Sequence, residues 1–198
     1  MTEAAKRRRE SPETRRAQIL AAAKRSFGAR GLQTTTVENI ASEAGVSVGL
    51  VYRLFESKAA VVEAIIIEEV GLQLSDIEAA LEEAKGDLDR LPDLIARNVS
   101  KVAVDHARTA LMLELTAEVC RSPDLQRFLQ RKRAELQEAL TAMFKSRGLG
   151  KADARRLLGQ LDWASAIASG LAVHEVVYAE SLPRSRQNFS RLFETISV

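Results

Sequence analysis

The residues best placed to do chemistry lie between Thr34 and Lys58, in the run TTTVENIASEAGVSVGLVYRLFESK. On a helix that starts after Ser47, the residues Val48, Gly49, Tyr52 and Arg53 fall on one side. Val51, Leu54 and Phe55 fall on the other. The first set offers a phenol, a guanidinium and a bare stretch of backbone. That is binding chemistry, suited to the major groove of DNA, where an α-helix fits and base edges present donors and acceptors. The second set suits a core. Just upstream, Val37 and Ala41, and Ile40 and Ala44, recur four residues apart and predict a helix over Val37–Ala44. Gly45 stands where a helix end favours a left-handed residue. Val46 follows as an apolar plug, and the Ser47 hydroxyl can cap the next helix. Helix, glycine turn, helix is the helix-turn-helix plan, whose second helix reads bases.

Bond-breaking chemistry has no comparable pattern. His106 and His174 are the only histidines and fall in different predicted helices. There is no HExxH, paired-cysteine, P-loop or GxSxG motif. His106 reads either as a cavity residue with Met112, Cys120 and Trp163 or as a helix-end cation, which suits a helix C-terminus. Arg131-Lys132-Arg133 reads as a solvated face. No catalytic residue, metal or cofactor is therefore expected. Cys120 is the only cysteine, so no internal disulfide can form. That fits a reducing compartment.

Stepping outward, 198 residues with 46% hydrophobic content can build sizeable cores. Segments rich in Ala, Leu, Glu and Arg favour an all-α protein. No apolar run reaches the ~18 residues of a membrane helix, and the basic N-terminus is followed by no apolar segment, so a cytoplasmic protein is expected. The net charge of +2 is unevenly spread: residues 1–58 hold 11 Lys and Arg against 6 Asp and Glu, and the rest hold 18 against 21. A basic module joined to a mildly acidic one is the electrostatic footprint of a nucleic-acid binder.

The elements follow in order. Residues 1–10, with Lys6-Arg7-Arg8-Arg9, read as a flexible basic arm, either reaching DNA or serving as a solvated tail. Ser11-Pro12-Glu13 starts a helix, with Ile19, Leu20, Ala23 and Phe27 inward and Arg15, Arg16, Lys24 and Arg25 on the outer surface; Gly31 ends it. Ser57 caps a long helix, about Lys58 to Ala84, with a broad apolar face from Val61 to Leu81 and seven acids from Glu63 to Glu83 on its outer face. Lys58 sits in the first turn, where the helix dipole disfavours a cation, as if an external anion lay close by. Further helices are predicted from Leu91-Pro92-Asp93, after His106, after Ser122, from about Ala154 to Ala179 with Asp153 as cap, and over 189–196. The total is about nine. Residues 11–57 form the first domain and 58–198 the second. Around Trp163, small residues recur every four positions (Ala164, Ala168, Ala172; Ala166, Gly170), which suits close helix approach, between two copies rather than within one chain.

The stretch resembles the DNA-binding motif of the tetracycline-repressor-like (TetR) family of transcriptional regulators. The match rests on Thr36-Val37 before Ile40-Ala41, the turn Ala44-Gly45-Val46-Ser47, then Tyr52-Arg53-Leu54-Phe55 and Ser57-Lys58. The resemblance implies a ligand-responsive homodimer, a repressor released from a near-palindromic operator in double-stranded DNA by a small, hydrophobic or aromatic effector. It implies that Thr36, Ser47, Tyr52 and Lys58 meet phosphates and that Val48, Gly49, Leu50 and Arg53 face or flank bases. Many relatives carry Thr or Ser where Leu50 stands, and Val48 and Leu50 can touch only thymine methyls. In the second domain it implies a mostly apolar ligand site, for which His106, Met112, Leu115, Cys120, Phe128 and Trp163 are the candidates. The cap of the Val37–Ala44 helix stays open: Thr35-x-x-Glu38 has capping-box spacing, while the family register favours Thr36. The alternative function is a helical adaptor or enzyme whose basic N-terminal region binds another acidic partner.

Overall fold

A computed structural model describes residues 11–87, 90, 94 and 106–177. Among them are seven helices: α1 (Pro12–Arg30), α2 (Val37–Ala44), α3 (Val48–Leu54), α4 (Lys58–Ala84), α5 (His106–Arg121), α6 (Pro123–Ser146) and α7 (Lys151–Val177). The basic arm and the helices expected near 91–102 and 189–196 lie outside the described residues.

The chain divides into two compact units, Met1–Ile65 and Ile66–Val198. The division falls inside α4, whereas the sequence places the domain boundary at its start. In the first unit, α1 begins as its capping pattern predicts. The Ser11 hydroxyl accepts the Thr14 N–H at 3.2 Å, and Pro12 occupies a position whose N–H would have no partner. The Glu13 carboxyl is held below its usual range by its own backbone N–H and by Ser11. From α1, Ile19, Ala22, Ala23 and Phe27 are completely buried. Ile40 and Ala41 of α2, Val51 of α3, Phe55, and Val61, Val62 and Ile65 of α4 complete the apolar interior of this unit. Ser26 interrupts it: its hydroxyl is buried with no hydrogen-bond partner among the described residues.

In the second unit, Ala80, Leu81 and Ala84 of α4, Leu94, Leu140 and Phe144 of α6, and Ala154 and Leu157 of α7 form one buried cluster. Leu136, Met143, Leu158 and Leu161 pack around it. The Ser122 hydroxyl accepts the Leu125 N–H at 3.3 Å and starts α6 one residue after α5 ends. Two expectations change. Helix α7 starts at Lys151, so Asp153 sits in its first turn, where its charge still suits the helix dipole. The acids of α4 do not all face outward. Glu69 is buried and accepts a hydrogen bond from Arg108 of α5 at 2.8 Å. It lies four residues beyond Ile65, on the apolar face, and the ion pair compensates for its burial.

The orphan Ser26 hydroxyl carries a desolvation cost without a compensating bond. Ser26→Ala should therefore leave thermal stability unchanged or raise it by up to about 1 kcal/mol. Phe144→Ala, which empties the centre of the second cluster, should lower it by about 3–5 kcal/mol. Denaturant unfolding of the two variants checks the contrast.

Candidate nucleic-acid interface

The α2–α3 turn is built from backbone geometry. Gly45 adopts φ +63°, ψ 35°, the left-handed region. The Gly45 N–H reaches the Ser42 carbonyl at 3.1 Å and the Val46 N–H reaches the Ala41 carbonyl at 3.0 Å. This is the Schellman arrangement, which satisfies carbonyls that a helix end would otherwise leave free. Ser47 then caps α3, its hydroxyl accepting the Leu50 N–H at 3.2 Å.

At the start of α2 the structure selects Thr36. Its hydroxyl accepts the Asn39 N–H at 3.3 Å, and the Asn39 side-chain oxygen accepts the Thr36 N–H at 3.0 Å. The box therefore closes through Asn39. Thr36 and the backbone N–H of Glu38 hold the Glu38 carboxyl below its usual range. Thr35 is completely buried and faces the other way, donating to the Gly31 carbonyl at 2.8 Å. Its neighbour Thr34 donates to the Arg30 carbonyl.

Helix α1 holds the pair in place with long side chains. Gln18 donates to the Ala44 carbonyl at 2.7 Å, where α2 ends. Arg16 donates to the Leu54 carbonyl at 3.1 Å, where α3 ends, and stacks on the Phe55 ring with its guanidinium carbon 4.2 Å from the centroid. Arg25 pairs with Glu43 at 2.9 Å. Arg16 and Arg25 are exposed, as expected, and are also engaged within the unit, because a carbonyl at the end of α3 and a carboxylate of α2 lie within their reach.

The side chains left facing solvent are the ones the face of α3 predicts. Val51 and Phe55 are buried, while Ser47, Gly49, Tyr52 and Arg53 are exposed, Tyr52 to 50%. Val48 and Leu50 are half-buried. Thr36 is exposed nearby in sequence at the start of α2. A Cβ built on Gly49 meets nothing within 4 Å, so the fold itself leaves that position open. Lys58 is half-buried, and its ammonium donates to the Leu32 carbonyl at 3.0 Å and the Thr35 carbonyl at 3.1 Å. Those carbonyls give the cation in the first turn of α4 two partners within the chain. Sequence reading missed Arg16, Gln18 and this role of Lys58. Their partners are backbone carbonyls 23 to 38 residues away, which no local pattern signals.

The six residues expected around a ligand differ in exposure in the single chain. Leu115 is buried, Met112 and Phe128 are half-buried, and His106, Cys120 and Trp163 are exposed, Trp163 to 60%. Trp163 sits on α7 next to Asp162, whose carboxylate meets Arg133 of α6 at 2.6 Å. Among the described residues, no group of three or more His, Cys, Asp or Glu is arranged to hold a metal ion. No helix among them is long and apolar enough to cross a membrane.

Comparison with known proteins gives consistent matches. Residues 19–65 match the family model for bacterial regulatory proteins of the tetR family, and residues 86–195 match a tetracyclin repressor-like C-terminal domain. The chain is 31% identical to the HTH-type transcriptional regulator TtgR of Pseudomonas putida over 185 residues, 90% of this chain and 83% of that protein. It is 30% identical over 117 residues to the HTH-type transcriptional repressor KstR2 of Mycolicibacterium smegmatis, 59% of this chain. That alignment spans only 56% of KstR2. Salmonella enterica GusR has the same fold, with a TM-score of 0.69 over 96% of both chains at 24% identity.

The two turn glycines should respond oppositely to alanine. Gly45→Ala forces a side chain into the left-handed region and should destabilise the first unit by about 1 kcal/mol. Gly49→Ala replaces a first-turn glycine of α3 with open space around it and should stabilise by up to about 1 kcal/mol. Thermal unfolding followed by circular dichroism distinguishes the two.

Proposed function

The chain belongs to the TetR family of bacterial transcriptional regulators, and from that membership we propose that it is a ligand-responsive homodimeric repressor acting on double-stranded operator DNA in the cytoplasm. The observation that carries the DNA-reading surface is the division of α3, with Val51 and Phe55 buried and Ser47, Gly49, Tyr52 and Arg53 facing out. In this reading Thr36, Ser47 and Tyr52 meet phosphates, and Val48, Gly49, Leu50 and Arg53 face or flank base edges. Arg53 is exposed and makes no ion pair among the described residues. It is the one member of the base-facing set whose side chain offers hydrogen-bond donors, so DNA shape and the basic arm carry the rest of the specificity. Lys58, with two of its three ammonium donors used internally, keeps the third for a phosphate.

The second unit supplies dimerisation and sensing. Helix α7 carries an exposed Trp163 together with exposed Gly159, Ala166 and Gly170, which suits pairing with a second copy. The effector is small and mostly apolar, received near Met112, Leu115 and Phe128. It releases DNA only if it binds better to a conformation in which the two reading helices are wrongly spaced. Operator DNA and effector then weaken each other by one and the same factor. Repression is the sense favoured by KstR2, a repressor by name.

Selection from random-sequence duplexes should yield a near-palindrome with half-sites one helical turn apart, roughly 34–36 Å, or a multiple of that. Arg53→Ala should relax the preference at one base pair per half-site, at about 1–3 kcal/mol. Recovery of no preferred sequence by the unmodified chain would overturn the reading.

Gly170→Trp tests the assembly. In the single chain Gly170 is exposed and a Cβ there meets nothing within 4 Å, so an added side chain starts into open space. Across a close helix pair it should overpack by about 1–3 kcal/mol or more. Sedimentation should show a shift toward monomer without loss of helical signal; an intact dimer would remove α7 from the interface.

A further inference from the structure

Gly71 is the only glycine of α4, and it stands well inside the helix. It is exposed, and a Cβ built on it meets nothing within 4 Å. Its backbone is not left-handed. Among the described residues, then, neither a close approach nor a special conformation calls for glycine there. Glycine in a helix interior still costs stability relative to alanine, because it loses more freedom on folding. The packing of α4 is interrupted at the same place. On one side Ala64, Ile65, Ile66 and Glu69 are buried, and Glu69 is tied to Arg108 of α5 at 2.8 Å. On the other, Leu74 and Ile77 pack against the second buried cluster, to which Ala80, Leu81 and Ala84 belong. Between these supports Gly71, Leu72 and Gln73 are all exposed, Leu72 to 47%. The stretch of α4 with least side-chain support thus coincides with its least stiff backbone position.

We propose that Gly71 is a hinge within α4, at which the segment carrying Glu69 bends against the segment fixed by Leu74 to Ala84. Helix bends have local causes, and a glycine in an unsupported turn is one of them. Bending there disturbs few contacts, because the side chains of the turn already face solvent. Its effect on DNA rests on the dimeric, DNA-binding reading above. In such a dimer α4 leads into each DNA-reading unit. A stiff α4 holds the two reading helices to one separation, whereas a hinged one lets them meet half-sites at more than one. Gly71 then sets how strictly the chain judges the spacing of its operator, a property separate from the bases that α3 touches.

The experiment compares the full chain with Gly71→Ala and with the double variant Gly71→Ala/Gln73→Gly, which returns a glycine to the same exposed stretch. Amide exchange is measured without DNA. In the unmodified chain the amides of residues 71–75, whose helical bonds span the glycine, should be less protected than those of 66–69 and 80–84, on the order of ten-fold. Gly71→Ala should raise their protection about five-fold, and the double variant should lower it again. Affinity is then measured for the selected operator and for the same operator with one base pair inserted between its half-sites. Gly71→Ala should leave the first unchanged and weaken the second about five-fold further, with tolerance restored in the double variant. Even protection along α4 of the unmodified chain overturns the proposal. So does a spacing penalty that Gly71→Ala leaves unchanged. Loss of the dimer in Gly71→Ala by sedimentation overturns it too, because it assigns the glycine to a close contact with a second copy. If the unmodified chain selects no DNA, the DNA-binding reading fails, and the exchange measurement alone decides whether α4 is hinged.

Discussion

A seven-residue helix does not persist in water by itself, since nucleation costs more than so few bonds return. The existence of α3 therefore depends on α1, and the exposed surface of the first unit depends on α3. The support is of two kinds. Val51 and Phe55 bury apolar surface, a non-directional contribution. Gln18 and Arg16 then bond the carbonyls at the end of α2 and the end of α3, which sets orientation. The Arg16 guanidinium does both, because it stacks on Phe55 while donating to Leu54.

Much of this was legible in the sequence, for local reasons. Ser11, Ser47 and Ser122 cap helices, and Gly45 adopts the left-handed conformation, because these signals act within three or four residues of where they are written. The apolar faces of α1 and α4 follow from helical spacing. What was not legible falls into two groups. Arg16, Gln18 and Lys58 bond partners distant in the chain, and an exposed-looking charge in a helical pattern carries no sign of where it will be used. Thr35 and Thr36 are chemically the same, and only the path of the chain out of α1 decides which turns inward. Glu69 belongs between the two groups. Its spacing from Ile65 marks it as inward, but its partner Arg108 could be found only from the fold.

The second unit shows where bulk and composition mislead. Trp163 is large and apolar, which suggests enclosure, yet it lies 60% exposed in the single chain. The buried cluster there is filled instead by Leu81, Leu140, Phe144 and Leu157, together with Ala80, Ala84 and Ala154. A tryptophan left on the outside of a helix whose neighbours are small is unusual for a surface that stays in water. Hydrophobicity tells that a side chain seeks cover, but not whether its own chain provides it.

The ties from Gln18 and Arg16 end on backbone carbonyls, and every residue has one. The hold on α3 is therefore indifferent to the identity of the side chains at Gly49, Tyr52 and Arg53, all of which point outward. Divergence at these three positions is largely uncoupled from folding. A lineage carrying this scaffold can drift from one target sequence to another by single substitutions, each judged on recognition alone, while the framework behind α3 stays constant.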